Sequence, residues 1–315
     1  MQDGIWVAKP STWDSAVLLA RALSLADKEF RWGFRGVSSE TQELQPSLER
    51  ISKDHDTFSG NILKREYRLL TEFKRRAHHY ISNPPPLKEE LEWLALLQHH
   101  GGPTRILDFT WSFYVAMFFA VYHTKNALNL RKNAAIWIVN TRKLRKNVSS
   151  RTGIPIKAYA FDTIQKQHHK LANESLYPKV SKNGPPDPLV VLVEPFRKNE
   201  RLTIQQGFFL FPRDLRTDFQ ANLAATFDLP SISLSHQAIS QEVPELFTAT
   251  TLSEAKEALP KGIAVAKIII SPECQVTAIS DLKRMNITEA SLFPGLDGFA
   301  RSLVLRLWPK ELENL

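Results

Sequence analysis

The sequence predicts an α+β fold in a single domain, with central mixed or antiparallel sheets and surrounding helices. Short apolar, β-prone runs at 134–139, 189–193 and 264–270 indicate buried strands. Amphipathic segments at 61–77 and 87–98 indicate helices that pack one face on those strands. No internal repeat and no Pro- or Ser-rich linker divides the chain. One folded unit is therefore the simplest interpretation.

The first elements predict a helical lead-in at 1–29. Ser11 can cap a helix and Asp14 stands three residues later, as in a capping box. The segment 30–36 has aromatic residues at alternate positions and ends in glycine, which predicts a short strand and a turn. Arg35 would then lie at a strand end, where a side chain is well placed to contact a ligand.

Residues 98–120 combine a polar loop with a very apolar helix, and they form the predicted centre of the protein. The turn at Gly101–Pro103 ends one helix, and Thr110 is a suitable N-cap for a buried helix over 111–123. A polar loop fixed to a buried helix holds reactive side chains rigidly. The ligand-binding candidates in the loop are His99, Thr104, Arg105 and Asp108. A structural Arg105–Asp108 pair is an equal alternative.

The second half predicts further strands and little chemistry until residue 201. The segment 201–211 is aromatic and predicts a strand that contains Gln205, Gln206 and an interior glycine. Glycine inside a strand often marks the close approach of backbone or ligand. The segment 301–315 predicts a C-terminal helix docked on the same domain.

The net charge is +8. The stretch from Val121 to Arg151 has no acidic residue and contains eight lysine and arginine residues, as many as the net charge of the whole chain. A patch of one sign attracts phosphate-rich partners, so nucleic acid or an acidic protein would suit it. A solvated surface explains the same charges equally well. The predicted patch comprises Arg131, Lys132, Arg142, Lys143, Arg145 and Lys146.

Several functional classes lack their sequence signals. There is no apolar run of the roughly 18 residues that a transmembrane helix needs, and the N-terminus lacks a signal-peptide pattern. The single cysteine, Cys274, allows no internal disulfide. The prediction is a cytoplasmic protein without membrane contact. Phosphate-loop, dinucleotide-fingerprint, serine-hydrolase and Cys/His metal patterns are missing, so no metal is predicted.

Five blocks of the sequence form a recognisable series. They are Phe34-Arg35-Gly36, Gln98 to Thr110, Ala116 to Ala120, Arg201 with Gln205 to Phe208, and Leu292 to Gly298. Together they resemble the FRG domain, a family named for its Phe-Arg-Gly motif, and they occur in the family's order. The resemblance predicts an FRG domain over 30–300. Ile106 and Phe109 depart from the usual Leu and Trp, and neither change affects a polar group.

The resemblance implies a bacterial or phage-borne effector of the toxin or phage-defence kind, with a cognate antitoxin or immunity protein as partner. The domain is expected to resemble an ADP-ribosyltransferase core, which binds NAD between two small sheets. Arg35 would hold the NAD phosphates, and the His99–Asp108 loop, with Thr104 and Arg105, would bind the nicotinamide ribose or the acceptor. Gln205 and Gln206 would take the late-strand catalytic position, with Glu194 as a substitute.

Two other functions stay open. The first is a toxin that cleaves nucleic acid, for which the cluster of His99, His100, Arg105 and Asp108 offers a general base, an acid and a phosphate holder. The second is a non-catalytic module that binds nucleic acid or protein through the basic patch.

Overall fold

The computed structural model describes residues 5–26, 32–54, 62–122, 132–153, 161–176, 186–230, 234, 239 and 244–303, with the side chains of 161–168 left aside. The strands are β1 (Ile5–Pro10), β2 (Trp32–Val37), β3 (Leu107–Thr110), β4 (Ala134–Asn140), β5 (Val190–Val193), β6 (Gly207–Pro212), β7 (Glu245–Phe247) and β8 (Val265–Ile270). The helices are α1 (Trp13–Ala26), α2 (Ser47–Asp54), α3 (Ile62–Ala77), α4 (Glu90–His99), α5 (Phe113–Val121), α6 (Thr141–Thr152), α7 (Phe161–Leu176), α8 (Glu200–Ile204), α9 (Phe219–Thr226), α10 (Leu252–Glu257), α11 (Pro272–Arg284), α12 (Glu289–Leu292) and α13 (Leu296–Ser302).

All eight strands join one mixed sheet in the order β5-β6-β3-β2-β4-β8-β1-β7. Along the sheet, every pairing in the series β5-β6-β3-β2-β4-β8 is antiparallel. Strand β1 lies between β8 and β7 and runs parallel to both. The single α+β unit with a mixed sheet and surrounding helices is thereby confirmed.

Two hydrophobic cores lie on opposite faces of the sheet, because successive strand side chains alternate in direction. Val37, Trp137 and Val139 belong to the core covered by α3, α4, α6, α7 and α9. Phe34 and Ile136 belong to the core covered by α1, α5, α10 and α11. The central strands are buried on both faces, which explains why β4 and β8 are apolar runs rather than alternating ones.

The sheet is nearly divided between β2 and β3. Strand β2 pairs with β4 along its whole length from Trp32 to Val37, but its register with β3 consists of the pair Phe34–Thr110. Beyond that pair the Arg35 side chain replaces a backbone partner, and its Nη1 donates to the Asp108 carbonyl oxygen over 2.8 Å. The two halves of the sheet therefore leave room between them for a cleft.

Gly36 is required for the packing of α5 against β2. A Cβ added there would lie 1.8 Å from the Ala116 carbonyl oxygen and 2.6 Å from the Ala120 nitrogen. Both are backbone atoms in a helix, so a side chain at position 36 would force the helix away from the strand. The glycine of the Phe34-Arg35-Gly36 motif thus has a structural function.

Three sequence predictions about local structure are wrong. The lead-in at 1–29 is not only helical, since its first described residues form β1 inside the sheet. The loop predicted around Asp108 contains the short strand β3. The strand predicted over 201–211 begins only at Gly207, because the preceding residues form α8.

The predicted C-terminal helix lies mostly outside the described residues, which end at Leu303 within 301–315. Its first turn is the end of α13. In α1, the capping box uses Thr12 and Ser15 rather than Ser11 and Asp14, with each backbone N–H donating to the other's hydroxyl.

A lysine is buried in the middle of the sheet. Lys267 in β8 lies opposite Trp137, which lies opposite Arg35, so the three side chains form a row across three strands. Only 3% of Lys267 is exposed, and its Nζ lies 4.7 Å from the Trp137 ring centroid. Burial lowers the pKa of Lys267 to about 8, against the opposing effect of Glu40 and Glu43.

The first prediction concerns Gly36→Ala. We expect a loss of about 3 kcal/mol of unfolding free energy, because the new methyl group meets helix backbone. The control is Gly101→Ala, where no atom lies within 4 Å of the added Cβ but φ is 81°. That substitution should cost only about 1 kcal/mol, from the left-handed conformation. Urea unfolding measures both, and equal losses would contradict the steric explanation.

The second prediction concerns pH. Folded Lys267 loses its proton near pH 8, whereas the unfolded chain keeps it up to the ordinary pKa of 10.5. The unfolded state therefore binds more protons between these values, and stability from this residue rises with pH by about 3 kcal/mol in total. In Lys267→Met this rise should be missing. Parallel stability curves for the wild type and the variant from pH 7 to 10.5 would contradict the prediction.

Candidate functional site

A cleft of about 320 Å³ lies where β2 and β3 separate. Strands β2, β3 and β6 contribute its sheet side, and α4, α5 and α8 contribute the remaining walls. Of the polar groups predicted from the sequence, Arg35, His99, Asp108 and Gln205 line this cleft. The other polar side chains in its wall are those of Ser38, Gln42, Gln98, Thr110, Asn199 and Arg201.

Arg35 reaches into the cleft with a guanidinium group that the protein only partly satisfies. Its Nη1 donates to the Asp108 carbonyl oxygen, while its Nε is buried and has no hydrogen-bond partner. Burial lowers the pKa of Arg35, the Asp108 carboxylate raises it and Arg50 lowers it further. A buried donor without an acceptor is costly, so this group is well suited to an anionic ligand.

A chain of hydrogen bonds orients the Asp108 carboxylate. The carboxylate is exposed and accepts a hydrogen bond from Gln98 Nε2 at 2.7 Å. The Gln98 side-chain oxygen accepts from the hydroxyl of Thr104, which is fully buried. The Thr104 backbone is in turn fixed to α2, donating to Ser47 Oγ at 3.1 Å and accepting from the Leu48 amide at 3.1 Å. Thr104 is therefore a positioning residue and does not line the cleft.

Arg105 lies outside the cleft and in the core. Its side chain is fully buried, and its Nε lies 2.8 Å from each carboxylate oxygen of Glu66, to which Nη2 also donates. Nη1 faces the carbonyl oxygens of Ser175 and Pro212 at 3.5 and 3.4 Å, and the group stacks on Phe211. Every ligand-contacting role predicted for Arg105, and the predicted pair with Asp108, must therefore be corrected.

Arg201 is the charged residue of the cleft that the sequence analysis did not include among the site residues. It lies in the first turn of α8 and is half-buried. Its guanidinium group stacks on the Phe293 ring, with 4.5 Å between the guanidinium carbon and the ring centroid. Burial lowers its pKa, the Asp108 carboxylate raises it, and Arg301 lowers it. The available signal was its place in one of the blocks shared with the FRG family. Asp108 thus acts electrostatically on two cleft guanidinium groups.

His99 lies at the C-terminal end of α4, and its half-buried ring lines the cleft. Burial lowers the pKa of His99, and the neighbouring His100 and Arg201 lower it further. The imidazole is therefore neutral at pH 7 and free to accept a proton. The exposed His100 is outside the cleft, with its ring edge-on to His99.

Gln205 and Gln206 do not share a strand or a direction. Gln205 ends α8 and lines the cleft, but its Nε2 donates to the Leu292 carbonyl oxygen at 2.9 Å. Gln206 is an exposed turn residue with a φ of 49°, outside the cleft wall. A helix end replaces the predicted late-strand position for both residues.

Glu194 follows β5 and also lies outside the cleft wall. Its carboxylate accepts from Trp111 Nε1 at 3.3 Å and lies 3.4 Å from Lys198 Nζ. Among the residues that the structure describes, Asp108 is therefore the carboxylate of the cleft.

The side chains of the predicted basic patch differ in exposure. Lys132, Arg142 and Lys146 are exposed. Lys143 Nζ lies 3.4 Å from the Gly262 carbonyl oxygen, and Arg145 stacks at 5.9 Å from the Trp111 ring. Arg131 lies outside the described residues.

The described part of the chain lacks both a metal-ligand cluster and a membrane-spanning helix. No three His, Cys, Asp or Glu side chains come together in a way that could hold a metal ion. No helix in that part has the length and apolarity needed to cross a bilayer.

The cleft in the split sheet is the candidate ligand site, and comparison with protein families adds to this geometry. Residues 31–128 match the family model of the FRG domain, so the chain contains an FRG domain. The match covers the Phe34-Arg35-Gly36 motif and the whole block from Gln98 to Ala120. The blocks at Arg201 and Leu292 lie beyond it, and the extent of the domain to residue 300 stays a prediction. No curated protein and no solved structure matches the chain.

The third prediction concerns the Arg105–Glu66 pair. Arg105→Met should lose about 3–5 kcal/mol of stability, because it leaves the Glu66 carboxylate buried without its partner. The double variant Arg105→Met/Glu66→Leu should recover most of that loss, since no charge is then buried. Arg284→Ala, at an exposed position on α11, is the control with little expected effect. Additive losses in the double variant would contradict the pairing.

Proposed function

We propose that the cleft binds NAD and that the protein transfers the ADP-ribose group of NAD to a macromolecule. The observation that carries this proposal is the convergence of Arg35, Arg201, His99 and Asp108 on one cleft between two halves of a split sheet. Such a transfer needs cations to bind the diphosphate, a carboxylate to stabilise the developing positive charge, and a neutral base.

The anion-binding part of the proposal rests on the two arginines. A planar guanidinium binds phosphate oxygens through two parallel hydrogen bonds. Arg35 has a buried Nε with no protein partner, and Arg201 is held in place by stacking on Phe293. In the proposed complex these two groups hold the diphosphate of NAD.

The Asp108 carboxylate is assigned to the ribose. When the bond between ribose C1′ and the nicotinamide nitrogen breaks, the electron pair leaves with nicotinamide and positive charge grows on the ribose. A fixed carboxylate stabilises that charge, and Gln98 holds Asp108 in one orientation. Asp108 takes the role that the sequence had left to Gln205, Gln206 or Glu194.

His99 is assigned to the acceptor. The acceptor nucleophile forms the new bond to C1′ and must lose a proton as it does so. A neutral imidazole beside the reacting atoms accepts that proton, and the lowered pKa keeps His99 neutral near pH 7.

The biological setting follows the FRG resemblance: a bacterial or phage-borne effector, active in the cytoplasm as a toxin or in phage defence, and restrained by a cognate antitoxin or immunity protein. Cleavage of nucleic acid is the second candidate, and His99 in an arginine-lined cleft is the observation in its favour. That alternative loses Arg105 as its phosphate holder, because Arg105 is buried with Glu66.

The fourth prediction tests binding. Calorimetry with NAD should show one site, and both Arg35→Ala and Arg201→Ala should weaken it by about tenfold or more, since each removes a charged hydrogen-bond donor. Arg284→Ala is again the matched control and should leave the affinity unchanged. No heat at millimolar NAD would overturn the proposal, and cleavage of RNA or DNA by the same protein would favour the alternative.

The fifth prediction separates binding from chemistry. Asp108→Asn should retain NAD binding, but its rate of nicotinamide release should fall about a hundredfold, because the neutral amide no longer stabilises the charged ribose. An unchanged rate in Asp108→Asn would remove Asp108 from the reaction.

In the wild type, activity should fall only when the pH drops below 6.5, the ordinary pKa of histidine, since the pKa of His99 is lowered.

A further inference from the structure

A second and larger cavity lies beside the cleft. It has a volume of about 940 Å³ and is bounded by α4, α7 and the segment between β5 and α8. Ala95 and Asn199 line both cavities, so the groove and the cleft adjoin at these two residues. A molecule seated in the groove could extend to the reacting atoms.

We propose that this groove binds a basic side chain, arginine or lysine, of a polypeptide that accepts the transferred group. The proposal rests on the proposed function for the identity of the reaction, but the binding itself is independent of NAD.

The least exposed polar groups of the groove present acceptors. The half-buried carboxylate of Glu92 accepts from the Arg197 amide at 3.2 Å. The side-chain oxygen of Asn173 is buried and has no hydrogen-bond partner. His169 Nε2 lies 3.1 Å from the Glu194 carbonyl oxygen. A carbonyl oxygen only accepts, so Nε2 must be the donor of this hydrogen bond. The other ring nitrogen, Nδ1, lies 4.0 Å from the Glu89 carboxylate. A ligand that satisfies these groups must donate hydrogen bonds.

The charge of the groove favours a cation. Its wall has three carboxylates, those of Glu89, Glu92 and Glu174, against the two cations of Lys170 and Arg197. Burial is the largest influence on the pKa of Glu92 and raises it, so a cation beside Glu92 would stabilise its ionised form. A phosphate-rich ligand would meet the opposite charge balance, in contrast to the arginine-lined cleft.

The apolar part of the groove suits the stem of a long side chain. Phe196 lines it and is 72% exposed, with Leu96 and Ile81 beside it in the wall. Lysine and arginine bury their methylene groups on such surfaces while their charged ends reach polar partners. The groove therefore matches both ends of a basic side chain.

The test is fluorescence anisotropy with a short labelled peptide of alternating glycine and arginine, in the absence of NAD. The control peptide has glutamine in place of arginine. We expect the arginine peptide to bind, and Glu92→Gln and the exposed Glu89→Gln each to weaken it by about three- to tenfold. Glu257→Gln, on the other face of the sheet in α10, should have no effect.

Equal binding of the glutamine peptide, or unchanged affinity in both glutamate variants, would overturn the proposal. Binding of a labelled single-stranded RNA that weakens in Arg197→Gln would overturn it as well, because it would assign the groove to nucleic acid. The two proposals can fail separately. If the peptide binds to Arg35→Ala while calorimetry shows no NAD binding, the peptide site in the groove is supported and the proposed transfer is rejected.

Discussion

The buried ion pair between Arg105 and Glu66 is the interaction on which the site depends. It fastens the loop before β3 to helix α3 inside the core, where both side chains have lost their contact with water. From this anchor the neighbouring Thr104 hydroxyl holds Gln98, and Gln98 holds the carboxylate of Asp108. A carboxylate at the surface thus has an orientation that is determined in the core. In this polar block, buried members such as Thr104 position others, such as Gln98 and Asp108, that line the cleft.

The second constraint is the incomplete pairing of β2 with β3. A sheet that is continuous on both sides of this point would leave no space for a ligand, because neighbouring strands lie about 4.8 Å apart. Here the Arg35 side chain spans the gap to the Asp108 carbonyl oxygen and still keeps one buried donor free. Gly36, on the opposite face, lets α5 approach β2 closely. The three residues of the Phe34-Arg35-Gly36 motif therefore serve core packing, the cleft and helix contact respectively.

Much of the fold was predictable, and the errors follow a physical pattern. Strands β4, β5 and β8 are nearly continuous apolar runs and helices α3 and α4 are amphipathic, and the sequence located all five within a few residues. Strand β3 is four residues long with mixed polar and apolar residues, and α8 is only five residues long, so neither presents a clear apolar pattern. Their conformation is set by neighbours: β3 by pairing with β6, and α8 by its Asn199 cap. The pairing partner of β3 lies far away in the chain, whereas the Asn199 cap is a local signal that the strand prediction did not use.

The sequence by itself determined the α+β class, the FRG domain and a short set of polar candidates that includes Arg35, His99 and Asp108. Tertiary structure alone decided where each candidate side chain lies and what it contacts. Arg35 and Arg105 have the same side chain and lie in equally distinctive motifs, yet one faces a cleft and the other a buried glutamate. The reason is that a guanidinium group takes its function from its partners and its exposure. Those are supplied by residues far away in the chain, such as Glu66 in α3 and Phe293 after α12.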